Sequence, residues 1–267
     1  MIGKVYLVGA GPGDPELLTV KALRILQRAD LVLHDDLVPA SILALASPAG
    51  EIVNAGKRCG KKSISQNEIN RRMIAGARQG LLVVRLKGGD PAIFGRTGEE
   101  LEALREAEVD CEIVAGVTAA SAAAAAAGLS LTHRNMASSV MFLTGHRATG
   151  KESNDWQALA ADGQGLRGRT LVIYMPGPDY ASLQARLEHA SVPDETPCLL
   201  ISGASRGSSR TYRSTVSRLA QIRRLPAPNI LIVGEVVRLA REIRMADFSW
   251  QLEPSLGLQA QEMNLTP

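Results

Sequence analysis

Between Lys4 and Val114, short apolar runs rich in β-branched residues alternate with helical patterns, and this alternation restricts the first half of the chain to a mostly parallel sheet flanked by helices. The runs are Lys4 to Val8, Leu31 to His34, Glu51 to Asn54, Leu82 to Leu86 and Cys111 to Val114. Helical patterns near Pro15 to Arg28, Gln66 to Gln79 and Thr97 to Glu106 supply the crossovers that parallel neighbours need. From Gly116 the rhythm changes. An Ala-rich helical stretch precedes strand patterns near Ser138 to Thr144, Thr170 to Tyr174 and Pro197 to Ser202, an Arg-rich segment near Arg210 to Arg224, a strand at Asn229 to Val233 and a short helix from Glu235. Ala115-Gly116-Val117-Thr118 reads as a turn into a capped helix, which sets the boundary. The expected organisation is an N-terminal α/β domain over 1–114, a C-terminal α/β domain with a mixed sheet over 115–246, and a tail over 247–267 with little periodicity.

A chain of 267 residues can bury two modest cores. Aromatic residues make up 3% of it, with three Phe, so a row of stacking platforms for single-stranded nucleic acid is hard to build. The formal charge of +3 selects no partner, but two clusters concentrate it. Lys57, Arg58, Lys61 and Lys62 share one Gly-containing loop, and Arg206, Arg210, Arg213, Arg218, Arg223 and Arg224 crowd a later stretch; each is either solvated surface or a site for a polyanion. Cys59, Cys111 and Cys198 are odd in number and scattered, which suggests neither a disulfide framework nor a zinc site and points to a reduced, cytoplasmic protein without a metal. Gly and Pro interrupt the N-terminus before a signal-peptide core can form. The apolar run Ala115 to Leu131 is mostly Ala and Gly and shorter than the ~20 residues of a membrane span, so it reads as a buried helix.

Val5 to Asp14 (VYLVGAGPGD) is a strand entering a Gly-rich turn. A dinucleotide fingerprint needs a third Gly where Asp14 stands, and Pro12 removes a backbone donor that a pyrophosphate would use. Asp35 and Asp36, about 20 residues on, keep a nicotinamide-dependent oxidoreductase open as a rival reading. A Gly-Pro-Gly-Asp turn suits a cationic or neutral ligand that requires close backbone approach. A second such turn, Lys87-Gly88-Gly89-Asp90-Pro91, follows the strand Leu82 to Leu86 and falls on the same sheet edge, so the two define one crevice. In a third segment, Gly116 to Ala120, Thr118 is placed to cap the Ala-rich helix.

Taken together, the ordered motifs closely resemble the tetrapyrrole methylase family. They are Val5 to Thr19, Asp36-Leu37-Val38, Gly56-Lys57-Arg58, Val83 to Glu100 (VVRLKGGDPAIFGRTGEE), Gly116 to Ala120, Leu131-Thr132-His133-Arg134, Thr144-Gly145-His146, Thr170 to Met175 and Val233 to Val236, and the resemblance spans Lys4 to Leu239. It implies the two-domain class III methyltransferase fold, usually homodimeric, with S-adenosylmethionine held in the interdomain cleft. By motif position Pro12, Gly88, Gly89, Asp90, Thr118, Ala119, Met175 and Ala204 line that cofactor, with Pro228 and Asn229 near the adenine.

The same resemblance implies C-methylation of uroporphyrinogen III at C2 and C7, through precorrin-1 to precorrin-2, for sirohaem, cobalamin or haem d1 synthesis. Arg96 and Glu99 carry over as the catalytic pair: Glu99 as a base or an acceptor for pyrrole N–H groups, Arg96 as a bidentate grip on a substrate carboxylate. Asp36, Lys57, Arg58 and Arg134 are the further candidates for substrate contact, while His133 and His146 read as packing residues. The chain departs from the family pattern at His34, Asp35, Thr97 and Ala115, and most between Arg206 and Arg213, where the assignments rest on least. The alternatives are a methyltransferase for a later precorrin, one acting on RNA or a protein side chain, and a non-catalytic binding module. The reading includes no membrane or nucleic-acid partner and no attached dehydrogenase and ferrochelatase portion, so the activity is expected to stop at precorrin-2.

Overall fold

The computed structural model describes residues 2–56, 64–145, 156 and 166–240. Lys57, Arg58, Cys59, Lys61, Lys62, His146 and the expected tail lie outside the described residues. Five strands, β1 (Val5–Gly9), β2 (Leu31–His34), β3 (Glu51–Asn54), β4 (Val83–Lys87) and β5 (Cys111–Val114), form one sheet in the order β3-β2-β4-β1-β5 with every pairing parallel. The crossovers place α1 (Val20–Leu26) and α2 (Ala40–Leu43) on one face, where Ala22, Leu26 and Ile42 pack on Val8, Val32 and Val84. On the other face α3 (Gln66–Arg78) and α4 (Thr97–Glu106) bring Ile69, Met73, Ala77 and Leu104 onto Val5, Leu7, Leu33 and Val83. With both faces covered, β2 and β4 are buried at every position, the pattern of central parallel strands.

The second sheet is mixed, in the order β6-β7-β10-β8-β9. Its strands are β6 (Ala137–Thr144), β7 (Gly168–Tyr174), β8 (Pro197–Ser202), β9 (Arg210–Thr215) and β10 (Asn229–Val233); β6 and β7 run parallel and the remaining pairs antiparallel. One face buries Leu171, Leu200 and Leu231 beneath α6 (Tyr180–His189), through Leu183 and Leu187. The other receives α5 (Ala119–Ala126), whose Ala120, Ala122, Ala123 and Ala124 are buried against Val172, Ile230 and Ile232. Methyl-sized side chains let this helix lie close to the strands.

Local chemistry accounts for the element ends. Ser65 Oγ accepts the Glu68 N–H at 3.2 Å to open α3, and Asp179 Oδ1 accepts the Ser182 N–H at 3.0 Å to open α6. Where one helix is expected from Pro15 to Arg28, a 3-10 turn (Pro15–Leu17) and α1 stand separately, because Leu18 is extended and Thr19 Oγ1 caps the new helix at the Ala22 N–H, 3.2 Å away. The run expected as a buried helix from Ala115 to Leu131 is helical only over α5, which Gly128 ends with a positive φ of 58°. The Arg-rich segment is in part an edge strand, β9, with Arg210 and Arg213 exposed. No helix among the described residues is long and apolar enough to cross a membrane.

Leu231, with no exposed surface at the centre of the second sheet, tests this packing. Leu231→Ala is expected to lower unfolding free energy by about 2–5 kcal/mol, measured by urea denaturation.

Candidate functional site

Parallel strands end at a common edge, so the turns after β4, β1 and β5 meet there. Gly11 and Gly89 exchange backbone hydrogen bonds, Gly11 N to Gly89 O at 3.1 Å and Gly89 N to Gly11 O at 2.7 Å, and Ala10 N donates to Lys87 O at 2.7 Å. A Cβ on Gly9 would sit 2.6 Å from Gly116 Cα, and one on Gly116 would sit 2.8 Å from Gly9 Cα. These positions therefore accept only glycine without displacing backbone. The Asp90 carboxylate completes the joint: Oδ2 accepts the Gly116 N–H at 2.9 Å and Oδ1 the Ala92 N–H at 2.8 Å. Pro12, Gly88, Gly89 and Asp90 thus share one backbone surface, and the start of α5 adjoins it, since a Cβ on Gly89 would lie 3.8 Å from Ala119 N.

Thr118 stands at the cap position of α5 but makes no side-chain cap bond; the expected cap is replaced. Its Oγ1 lies 2.5 Å from the Tyr174 hydroxyl, and that hydroxyl accepts the Ala120 N–H at 3.2 Å. Tyr174, the last residue of β7, therefore satisfies the helix end that Thr118 leaves open. Burial pushes its phenol up from the ordinary tyrosine value, partly offset by the Thr118 hydrogen bond. Phe94, from the loop after β4, packs on the Tyr174 ring at 5.1 Å, and Phe142 of β6 meets it at 5.6 Å. Phe94 and Met175, the residue after Tyr174, leave 42% and 48% of their surface exposed.

Four of the six described non-glycine residues with positive φ stand in the loops of this region: Phe94 (51°), Arg96 (55°), Met175 (48°) and Ser205 (64°). Such backbone costs of order 1–3 kcal/mol per residue, and it gathers where a loop must present a side chain to a ligand. The β8 and β10 ends complete the neighbourhood. Gly203 N donates to Pro228 O at 2.8 Å, so Ala204 adjoins Pro228 and Asn229. Asn229 Oδ1 and Ser205 Oγ are buried without a partner. Arg206 Nη2 donates to Leu37 O at 2.7 Å, linking the second sheet's loop to the first sheet's.

Arg96 and Glu99 form a bidentate pair at the start of α4, Nε to Oε1 at 2.8 Å and Nη2 to Oε2 at 2.6 Å, and both are about half exposed. The Arg96 hydrogen bonds hold the Glu99 carboxyl below the usual carboxylate range, and the same bonds raise Arg96. Beneath them Glu100 is fully buried and takes hydrogen bonds from Arg85, Lys87 and Gln66. Burial lowers the Lys87 ammonium despite the Glu100 carboxylate beside it.

Asp36 Oδ1 accepts the Asn54 Nδ2–H at 2.8 Å, beside Gly56 and the start of the undescribed basic loop. Arg134 is exposed in the turn before β6, where His133 Nδ1 accepts the Asn135 N–H at 3.3 Å, a turn-bracing role in keeping with packing. Of the later Arg cluster, Arg206, Arg213 and Arg224 donate to backbone carbonyls, Arg213 to that of Ala240, while Arg210, Arg218 and Arg223 are exposed. The expectations for Lys57 and Arg58 lie outside the described residues. Sequence reasoning missed Tyr174 and the Arg85–Lys87–Glu100 set. A signal for the latter was present: two cations in a strand otherwise apolar and buried on both faces must find buried partners. Among the described residues no group of three or more His, Cys, Asp or Glu could hold a metal.

Gly116→Ala, which sets a methyl against the Gly9 backbone, is expected to cost about 1–3 kcal/mol of stability in thermal or urea melts. Because the folded Glu99 carboxyl is held below its unfolded value, the pair's contribution to stability is present above the ordinary carboxylate range and is lost as pH falls through the lowered value. A carboxyl-resolved NMR titration is expected to place Glu99 below a model glutamate and to return it upward in Arg96→Gln.

The family model for Tetrapyrrole (Corrin/Porphyrin) Methylases matches residues 4–220. Siroheme synthase of Psychromonas ingrahamii is 46% identical over 243 residues, 90% of this chain and 50% of that protein, and siroheme synthase of Sodalis glossinidius is 45% identical over 243 residues with the same two coverages. The chain thus spans about half the length of the curated relatives it matches. Among solved structures, Uroporphyrin III C-methyl transferase from Thermus thermophilus aligns with a TM-score of 0.77 at 39% identity, over 89% of this chain and all 100% of that one. The same Thermus protein complexed with S-adenyl homocysteine aligns at 0.76 with 39% identity and the same coverage. A cobalt precorrin-4 methyltransferase of cobalamin biosynthesis aligns at 0.75 with 30% identity, over 88% of this chain and 95% of that one. With its two-sheet α/β fold, its glycine-turn edge and a family match across most of its length, this chain belongs to the tetrapyrrole (corrin/porphyrin) methylases.

Proposed function

We propose that the chain catalyses S-adenosylmethionine-dependent C-methylation of uroporphyrinogen III at C2 and C7, giving precorrin-2. The observation that carries this reading is the meeting, at one sheet edge, of a backbone cradle built on glycine turns with the Arg96–Glu99 pair. The 39% identity to the Thermus uroporphyrin III enzyme, whose structure was obtained with S-adenyl homocysteine, supports both substrate and cofactor. The chain is read as two domains, 1–114 and 115–246, forming a cytoplasmic homodimer, with sirohaem, cobalamin or haem d1 synthesis downstream.

The residues present fit the proposed cofactor. Asn229 Oδ1 and Ser205 Oγ are among the buried polar atoms that lack hydrogen-bond partners, and the first suits the exocyclic amino group of an adenine. Pro12, Gly88, Gly89 and Asp90 offer close backbone approach without the run of N–H donors that a diphosphate needs, so an adenosyl sulfonium is the better match. Thr118, Ala119, Met175, Ala204 and Pro228 are assigned to the same site. When bound, the cofactor supplies an electrophilic methyl group on sulfur.

What remains for the protein is to hold a nucleophilic pyrrole carbon in line and to manage the proton released when the carbon–carbon bond forms. The lowered pKa makes Glu99 a weak base but a charged acceptor, well suited to orient pyrrole N–H groups. Arg96 spends Nε and Nη2 on Glu99, which leaves the other edge of its guanidinium for a substrate carboxylate. Asp36, Arg134, Lys57 and Arg58 are assigned to further contacts with the substrate's polar rim. Phe94 and Met175 offer exposed apolar surface for the macrocycle face.

An anaerobic assay with S-adenosylmethionine and enzymatically generated uroporphyrinogen III, followed by product absorbance and mass, is expected to show a gain of two methyl groups. No transfer, with the cofactor still bound, would move the substrate to a later precorrin. In the same assay Glu99→Gln is expected to keep S-adenosylhomocysteine affinity while kcat falls by about 10²-fold; unchanged turnover removes Glu99 from the chemistry.

A further inference from the structure

Four charges lie beneath the first turn of α4, and the proposed chemistry uses none of them. Lys87, the last residue of β4, is almost wholly buried, and its Nζ donates to Glu100 Oε2. The other carboxylate oxygen, Oε1, accepts from Arg85 Nε at 3.0 Å and from Gln66 Nε2 of α3 at 3.3 Å. Arg85 also pairs through Nη2 with Asp35 at the end of β2, and through Nη1 donates to Leu33 O at 3.2 Å. One buried carboxylate therefore ties α4 to β4 and α3 directly, and to β2 through Arg85.

Chain geometry gives this knot its place. Gly88 and Gly89, of the glycine cradle, follow Lys87 directly, and the Lys87 carbonyl accepts the Ala10 N–H of the β1 turn at 2.7 Å. Glu99, which precedes Glu100, points outward to Arg96. The loop between them passes over the lysine stem: a Cβ on Gly95 would lie 3.1 Å from Lys87 Cε and 2.5 Å from Pro91 O. Asn70 Nδ2 of α3 donates to the Glu99 carbonyl at 3.5 Å. Buried charge sets of this kind add little net stability, because desolvation offsets their attraction, but their directional bonds fix where each partner stands.

We propose that Glu100, gripped by Lys87 and Arg85, is a positioning residue that sets the first turn of α4 against the Gly88–Asp90 turn and so fixes Arg96 and Glu99 relative to the bound methyl donor. The inference rests on the reading of Arg96 and Glu99 as substrate-handling groups. It makes the buried carboxylate length-critical: charge alone does not suffice.

The test uses the full chain, S-adenosylmethionine and uroporphyrinogen III under anaerobic conditions, with S-adenosylhomocysteine affinity by calorimetry and a thermal melt for each variant. Glu100→Asp keeps the charge and withdraws it by one methylene. It is expected to lower kcat by about 10- to 100-fold per folded molecule while KM and S-adenosylhomocysteine affinity stay within about twofold, since only transition-state alignment is lost. The double variant Lys87→Met/Glu100→Gln removes both charges together, so it is the version to read where the single variant fails to fold, and the same fall in kcat is expected there. Wild-type kcat per folded molecule, with only the melting temperature shifted, overturns the positioning role in either variant. Glu99→Gln run alongside separates the two readings. A slow Glu99→Gln beside a wild-type-like Glu100→Asp overturns positioning alone, whereas wild-type turnover in Glu99→Gln overturns the substrate-handling reading beneath it.

Discussion

Backbone touching backbone at the edge of the first sheet is the constraint on which the rest of the structure depends. Because β1 lies between β4 and β5, three turns must leave the sheet through the same narrow space. Gly9, Gly89 and Gly116 let them do so in van der Waals contact, and the reciprocal Gly11–Gly89 hydrogen bonds with the Asp90 carboxylate convert that contact into a fixed surface. A side chain at Gly9 or Gly116 would wedge the turns apart, and the φ of 72° at Gly89 favours glycine there on conformational grounds. The cradle is therefore a property of strand order as much as of glycine content.

Ring contacts and hydrogen bonds join the second sheet to that edge. Tyr174 meets the open N-terminus of α5, and its ring carries Phe94 from the first sheet's loop. Arg206 reaches in the opposite direction, to the Leu37 carbonyl, while its Nε stays buried beside Gly13 without a partner. Contacts of this kind orient two separately packed cores without merging them: the cores on the two faces of each sheet draw their strand residues from that sheet alone.

Two pairs of opposite charges, one residue apart on α4, behave differently because water reaches one and not the other. Arg96 and Glu99 sit in solvent, where an ion pair is worth little and its members are easily redirected to a ligand. Glu100 and Lys87 are dry, so separating them would leave an uncompensated charge in the interior, and their geometry is correspondingly rigid. A rigid pair under a labile one is a sound arrangement for presenting polar groups at a fixed height.

The sequence by itself determined most of the element types, the glycine turns at the sheet edge and the family. Strand runs such as Leu31 to His34 and Asn229 to Val233 were legible to the residue, because burial on both faces demands nearly uninterrupted apolar side chains. The glycine turns were legible because only glycine serves where backbones meet, and the motif order was enough to indicate the family. Only the tertiary structure decided the rest. That Thr118 would surrender its capping role to Tyr174, 56 residues away, depends on where β7 ends against α5. That Arg210 to Thr215 would form an edge strand depends on β8 offering it an antiparallel partner. That Glu99 would face solvent and Glu100 the interior depends on the rotation of α4 over β4. Local propensity reads a residue's own neighbours in the chain, whereas caps, edge strands and buried ion pairs are settled by partners that only folding brings into reach.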